Sequence, residues 1–549
     1  MAMAASSMEQ LLQVDPAMAT YSILAIALVT AVLVLINRIG GNGAGKQRRH
    51  GLPPSPRRLP VIGHLHLLRP PVHRTFQELA SGLGAPLMHI RLGSTHCLVA
   101  SSAAAATELI RSHEGKISER PLTAVARQFA YGSDSGFAFA PYGPHWRAMK
   151  RLCMSELLGP RTVELLRPVR RAGLVSLLHT VIRKSPEPVD LTAELIRMSN
   201  ASIIRMMAST VPGSVTEEAQ ALVKAVAELV GAFNVEDYIA VCRGWDLQGL
   251  GKRAADVHRR FDALLEDMIA HKEEARAAKK AIRGEDDQEP ETKKTMAESK
   301  DLIDILLDKM EDENAAEETK LTREKIKAFT IDVVTAGSDT SAAMVEWMLA
   351  ELMNHPECLR KVRDEIDAVV GSNRITGEAD IANLPYLQAA YKETLRLRPA
   401  APIAHRQSTE DMELATGGCF TVPVGTAVFI NLWAIGRDPE HWGQTALEFR
   451  PERFMLGGES EKLEPRGQHF QYLPFGSGRR GCPGMGLALQ SVPAVVAALV
   501  QCFHWTVVPK AGEEKAVIDM EESDGLVRAR KHPLLLRASP RLNPFPAVV

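Results

Sequence analysis

The chain's candidate chemistry centres on Phe475-Gly-Ser-Gly-Arg-Arg-Gly-Cys-Pro-Gly484, a glycine-crowded loop that runs into a long, mostly apolar stretch from Met485 to Phe503. That stretch reads as a buried helix, so Cys482 stands just ahead of a helix start, where backbone N–H groups stabilise the negative charge of a thiolate. Glycines allow tight turns and a close approach of backbone to a flat cofactor, and Arg480 can neutralise an acidic group on it. The loop therefore suits an anionic sulfur ligand. The same letters hold a GxGxxG match at Gly476, Gly478 and Gly481, the pattern of a dinucleotide-binding turn. Context opposes that reading. Phe470 to Pro474 is short and ends in proline, and no acidic residue lies about twenty positions beyond Gly481 to hold a ribose.

Three further constellations carry potential chemistry. Glu393 and Arg396 lie three apart in Tyr391-Lys-Glu-Thr-Leu-Arg-Leu-Arg-Pro399 and share a helix face that Pro399 ends. Alone, such spacing commonly means a surface pair worth about 0 to 1 kcal/mol. Lys325 to His355 is a largely apolar helix candidate interrupted by Ala336-Gly-Ser-Asp-Thr-Ser341. Gly337 costs about 1 kcal/mol against alanine, and Thr340 can bond back to a carbonyl one turn earlier, so a local distortion is expected there. A small-residue packing notch against another helix is the alternative. Trp146-Arg-Ala-Met-Lys150 sets an indole among cations, and Arg147, Lys150 and Arg151 could also form a basic surface that attracts an acidic electron donor.

The elements that must position these residues are mainly helical. Helical patterns run from Pro168 to Arg183 and from Ala219 to Phe233, whereas short β-like runs occupy Leu87 to Val99 and Phe420 to Ile430. No alternation of Val-rich strands with Gly-rich turns suggests a doubly wound sheet. The expected class is mainly α with a minor β-sheet. The stretch from about Lys272 to Asp301, rich in Lys, Glu, Asp and Ala, reads as a solvated loop with frayed helical ends.

Global composition sets limits. The 549 residues carry a formal net charge of -1, which gives nothing for nucleic acid to recognise. Seven cysteines, odd in number and without CxxC pairs, argue against a disulfide framework or a zinc site and fit a reducing compartment. Met18 to Ile36 is uncharged and long enough to cross a bilayer. A cleaved secretory signal would need basic residues before it, but Glu9 and Asp15 precede it and Arg38, Lys46, Arg48 and Arg49 follow. The positive-inside tendency then keeps the remainder cytosolic. The expected organisation is a short lumenal segment at 1–17, an anchor at 18–36, a basic and proline-rich connector at 37–60 and a catalytic domain at 61–549. Prolines in Gly51-Leu-Pro-Pro-Ser-Pro-Arg-Arg-Leu-Pro60 make that connector stiff and extended.

The spacing of Phe475, Gly478, Arg480, Cys482 and Gly484 resembles the haem-binding signature of the cytochrome P450 family, and the other motifs follow in that family's order along nearly the entire chain. The resemblance implies a cytochrome P450 fold behind an N-terminal transmembrane helix, and haem b with Cys482 as axial thiolate. It places Phe475, Arg480 and Gly484 around the haem, with Trp146, Lys150 and Arg406 toward its propionates. Lys150 departs from the family, where arginine is commoner, and so loses the bidentate fork. Pro451-Glu-Arg-Phe454 resembles the segment whose arginine, here Arg453, joins Glu393 and Arg396 in a buried network. Asp339 and Thr340 match the acid and threonine that deliver protons to bound dioxygen.

The arrangement further resembles plant microsomal members of the endoplasmic reticulum membrane, which take electrons from NADPH through a separate flavoprotein reductase. Ile117-Ser-Glu-Arg-Pro121, Phe137-Ala-Phe-Ala-Pro-Tyr-Gly-Pro-His-Trp146, Phe233-Asn-Val-Glu-Asp-Tyr238 and Ala404-His-Arg-Gln-Ser-Thr409 are similar to grass enzymes acting on flavanones. That implies hydroxylation of a flavanone such as naringenin at C-2 using O2, or alternatively direct formation of the C-2,C-3 double bond by a flavone synthase II. The implied pocket includes Phe137, Val333, Ala336, Ala401, Ile403 and Leu526. A non-catalytic, membrane-tethered haem protein is the reading from another class, and intact Asp339, Thr340 and Cys482 count against it.

Overall fold

The structure, a computed structural model, describes residues 51–132, 135–209, 213–283, 300–314, 320–508 and 517–542. The anchor expected at 18–36 lies outside them. Helix α1 (Val72–Leu83) leads into a hairpin of β1 (Leu87–Leu92) and β2 (Thr95–Ala100). Gly93 makes its turn at φ +56°, so close to the Tyr238 carbonyl that a Cβ would collide with it. The helices α2 (Pro144–Leu152), α3 (Arg167–Lys184), α4 (Leu191–Met207), α5 (Gly213–Gly231), α6 (Leu250–Arg283) and α7 (Leu302–Met310) follow, with β3 (Pro188–Asp190) before α4.

Next come α8 (Arg323–Asn354), α9 (Pro356–Val369), α10 (Pro385–Leu397), β4 (Ile403–Gln407), β5 (Met412–Leu414), β6 (Phe420–Val422) and β7 (Ala427–Asn431). The chain closes with α11 (Met485–Cys502), β8 (Phe503–Val507) and β9 (Leu535–Pro540). One sheet has the order β1-β2-β7-β4, with β2 and β7 parallel and the other pairs antiparallel. A second sheet runs β3-β9-β8, and β5 pairs with β6. The mainly helical class with minor sheets is present as expected.

Helix α8 is the central beam. Thr322 caps it by accepting the Lys325 N–H at 3.2 Å, and its residues from Ala342 to Leu352 are buried without a break. The core forms where α8 meets α3, α4, α9, α10 and α11. Helix α11 is buried continuously from Val492 to Cys502. Among the described residues it alone is long and apolar enough to cross a membrane, but its burial makes it a core helix. Its one buried amide, Gln501, is fully engaged: Oε1 accepts from Thr376, and Nε2 donates to the carbonyls of Gly371 and Arg374.

Two expectations need correction. The charged stretch from Lys272 is helical through Arg283, residues 284–299 lie outside the described ones, and Asp301 is buried as the cap of α7, where it receives the Lys272 ammonium. Lys272 and Asp301 find each other across a helix pair and leave solvent, whereas His271 and Glu274 stay exposed. The distortion expected between Ala336 and Ser341 is absent, because α8 continues through it. Thr340 Oγ1 does donate back to the Ala336 carbonyl at 2.7 Å, but this bond coexists with the helix. Gly337 instead forms the notch: a Cβ there would stand 3.2 Å from Ile203 Cδ1 of α4. Beside it, Ser199 Oγ donates to the Ser338 carbonyl at 2.7 Å.

Candidate active site

The cysteine loop is shaped by its own backbone. Cys482 N–H donates to the Phe475 carbonyl at 2.9 Å and Gly481 N–H to Gly478 at 3.0 Å. Gly476 and Gly478 both sit at φ +69°, a conformation that costs other residues strain. Gly484 is the N-cap of α11, and a Cβ on it would lie 3.8 Å from Cys482 Sγ. Lys150 of α2 ties the loop down by donating to the Gly481 carbonyl at 2.9 Å.

Cys482 keeps open surface, yet desolvation by surrounding protein is the largest influence on its thiol and pushes the pKa up. The sulfur is thus reachable by a ligand yet walled by protein. Ala336, midway along the central helix, likewise keeps exposed surface. Opposing the desolvation are the N–H groups of Gly484 and Met485 and the cations Lys150 and Arg120.

Cations crowd this region. Burial, reinforced by the nearby Arg120, lowers the pKa of Arg406 to about 9 and of Arg480 to about 10. Lys150 and Arg120 are also lowered, chiefly by desolvation. Arg480 donates to the carbonyls of Ser118 and Ala140, each at 2.6 Å, but its Nη1 is buried without a partner. Its guanidinium lies 4.7 Å from the ring centre of Trp146, whose Nε1 also lacks a partner. Arg406 donates only to the adjacent His405 carbonyl, at 2.9 Å. Buried cations and orphaned donors are costly without an anion. A group that carries carboxylates and a thiolate-binding metal would meet both needs, so the residues present fit haem: Arg406, Arg480 and Trp146 would face its propionates, and Cys482 would bind its iron.

Asp339 and Thr340 occupy the middle of α8. Burial raises the Asp339 pKa, while Lys224 of α5 draws it down and Glu228 pushes it up. Glu393, Arg396 and Arg453 come together as expected, with side chains fully buried. Arg396 grips Glu393 through two bonds of 2.7 Å, and Arg453 Nε reaches it at 3.0 Å. Arg396 also donates to the carbonyls of Gly436 and Ala446, so the network staples the chain that leads to the cysteine loop.

The expected pocket residues do not share one hydrophobic cluster. Phe137 and Val333 pack among the helices, Ile403 packs with the sheet, and Ala401 and Leu526 keep exposed surface. Backbone contacts draw the outer ones in. Arg528 N–H donates to the Ala400 carbonyl at 2.9 Å, and Leu526 abuts Gly231 at the end of α5.

Asp332, which no motif singled out, and Arg120, from the quoted Ile117–Pro121 segment but given no role there, organise the expected pocket wall. Asp332 of α8 accepts the N–H groups of Phe137 and Ala138 at 2.7 and 2.9 Å, and Arg120 donates to the Ala138 carbonyl at 3.0 Å. The segment so held presents the Phe137 ring, stacked on Trp146 at 5.8 Å. Burial drives Asp332 up and Arg120 down, both toward neutrality. A lone acid in Phe329-Thr-Ile-Asp-Val-Val334 was the available signal for Asp332.

A sequence model described as Cytochrome P450 matches residues 53–536. The chain is 73% identical to cytochrome P450 93G1 of Oryza sativa subsp. japonica, over 92% of this chain and 93% of that one. It is 44% identical to the 3,9-dihydroxypterocarpan 6A-monooxygenase of Glycine max, over 92% and 96%. With the 2-hydroxyisoflavanone synthase of Glycyrrhiza uralensis it shares 36% identity over 93% and 96%. A zebra fish cytochrome P450 solved with progesterone superposes at a TM-score of 0.70 with 24% identity, covering 86% of this chain and all of that one.

Proposed function

Because the chain belongs to the cytochrome P450 family and is a haem-thiolate monooxygenase, we propose that its substrate is a flavanone, hydroxylated at C-2. The observation that carries this reading is its extended similarity to relatives named for a pterocarpan monooxygenase and a 2-hydroxyisoflavanone synthase. The four segments similar to grass flavanone enzymes support it. They include Phe137, on the wall held by Asp332.

When bound, haem supplies the iron at which dioxygen is activated, and thiolate donation favours O–O cleavage. The protein's part is placement. Gly484 and Met485 present N–H groups to the Cys482 sulfur, and Lys150 holds the loop from the other side. Arg406, Arg480 and Trp146 offer donors to the propionates. The raised pKa of Asp339 keeps more of its carboxyl protonated near neutral pH than an ordinary aspartate would be, as a proton donor needs. Thr340 Oγ1, anchored on the Ala336 carbonyl, holds the next oxygen of that relay in place. Asp332 fixes the aromatic wall, so that C-2 is presented within reach of the reacting centre.

In this reading electrons come from NADPH through a separate reductase, whose acidic face would meet the basic surface of α2. The segment 18–36 anchors the chain in the endoplasmic reticulum membrane with the catalytic domain cytosolic. Microsomes containing the chain and a plant reductase, supplied with NADPH and naringenin, test the proposal by mass spectrometry of products before any acid treatment. Gain of one oxygen at C-2 is expected. Direct loss of two hydrogens would make the enzyme a flavone synthase II, and no product from folded enzyme would remove the flavanone assignment.

A further inference from the structure

A cavity of about 520 Å³ lies between α3, α4, α8 and α11. Its volume falls within the roughly 300 to 1,000 Å³ of small-molecule sites. Leu174, Met198, Ile203, Val345, Leu487 and Val492 give it an apolar body. Its polar rim carries four guanidiniums, from Arg167, Arg170, Arg171 and Arg374, against two carboxylates, from Glu378 and Asp380.

The rim is more than an exposed basic patch. The Arg170 side chain is only 8% exposed, and Glu378 grips its Nε and Nη2 at 2.7 and 2.6 Å. The third corner, Nη1, is buried with no partner, an arrangement that stays costly until an acceptor arrives. Asp380 is already taken by Arg374, at 2.7 Å, and Arg171 donates to the Thr376 carbonyl at 3.0 Å. Arg167 pairs with Glu164 at 2.8 Å, so the site has an apolar interior, one cation, Arg171, held by carbonyls alone, and one unused buried donor.

We propose that this cavity is a second ligand site, for an apolar monocarboxylate whose tail fills the space and whose carboxylate accepts from Arg170 Nη1. The site has a physical route to the reaction centre. Ser199 and Ile203 line the cavity and also touch α8, Ser199 at the Ser338 carbonyl and Ile203 at the Gly337 notch. An occupant pressing on that wall shifts the segment that carries Asp339 and Thr340.

Dodecanoate is the probe, measured by equilibrium dialysis on the full haem-loaded chain in nanodiscs, with empty nanodiscs subtracted. The substrate pocket is blocked with a saturating azole that ligates the iron. One equivalent should still bind. Arg170→Lys keeps a cation beside Glu378 but removes the free corner, so it should weaken dodecanoate by about tenfold or more, the scale of one charge-assisted hydrogen bond, and leave the methyl ester unaffected. Ser491→Phe, which fills the cavity, should abolish both, with the reduced carbon monoxide spectrum showing that the variant is folded. A diazirine analogue on the unaltered chain should label peptides of α3, α4 or α11. Loss of binding when the azole is added, or labelling confined to the segments of Phe137 and Val333, overturns the proposal.

Discussion

At Cys482, desolvation holds the proton on sulfur, while two backbone N–H groups, Lys150 and Arg120 favour the thiolate. Iron binding decides that contest, because a coordinating thiol is deprotonated. Cys482→Ala removes the ligand but not the cradle, so the chain should fold and yet lose both the Soret band of its reduced carbon monoxide complex and all turnover. Asp332 poses a different question at the same scale. Asp332→Ala orphans the N–H groups of Phe137 and Ala138, at about 1 to 3 kcal/mol for each. Asp332→Asn keeps an acceptor. The alanine variant should therefore show a lower melting temperature and a raised KM for the proposed flavanone substrate, and the asparagine variant a smaller change in both. Equal effects would mean that charge, not the anchoring of Phe137, is what Asp332 contributes.

Among the elements, α8 carries two tasks that its sequence places only a few residues apart. One face packs against α4 through Gly337, and the same turn carries Asp339 and Thr340. Gly337→Ala gains about 1 kcal/mol of helix propensity but brings a methyl to 3.2 Å from Ile203, whose flexible end can give way. Stability should hardly change. Gly337→Leu cannot be accommodated in this way and should cost about 1 to 3 kcal/mol, read as a shifted denaturant midpoint. Pairing it with Ile203→Ala should recover part of that loss, which identifies the notch as the cause. The motif was legible here but its mechanical meaning was not. A central glycine reads equally as a helix defect or as a contact, and the partner, Ile203, is remote in the chain.

For the whole molecule, the two ends of the domain are clasped through Glu522. It lies 2.8 Å from His73 and 3.1 Å from Arg74, both on α1, and Arg398 approaches at 3.7 Å. Its carboxyl is lowered from 4.5 to about 2: burial alone would raise it, but the close approach and charge of His73 and the charge of Arg74 outweigh that. Burial also lowers the His73 pKa. Because the folded pKa lies below the unfolded one, the clasp's stability is fully present above about pH 4.5 and is lost as pH falls toward 2. Glu522→Gln should lower the melting temperature at pH 7 and flatten the acid limb of the stability profile. Removal of residues 1–50 should release the chain from membranes with its carbon monoxide spectrum intact, because α11, the one described helix long and apolar enough to cross a bilayer, is buried in the core. By itself the sequence determined the anionic-sulfur loop, the shared helix face of Glu393 and Arg396 and the helical class, since each rests on residues close in the chain whose spacing constrains local geometry; haem and the burial of that pair were implied by the family resemblance. Only the tertiary structure decided that Arg120 and Asp332 secure Phe137, that Gly337 receives Ile203, and that Arg170 faces an apolar cavity with a donor unused. Those groups lie tens to hundreds of residues apart, and burial, which sets their charge and their cost, exists only once the chain has closed around them.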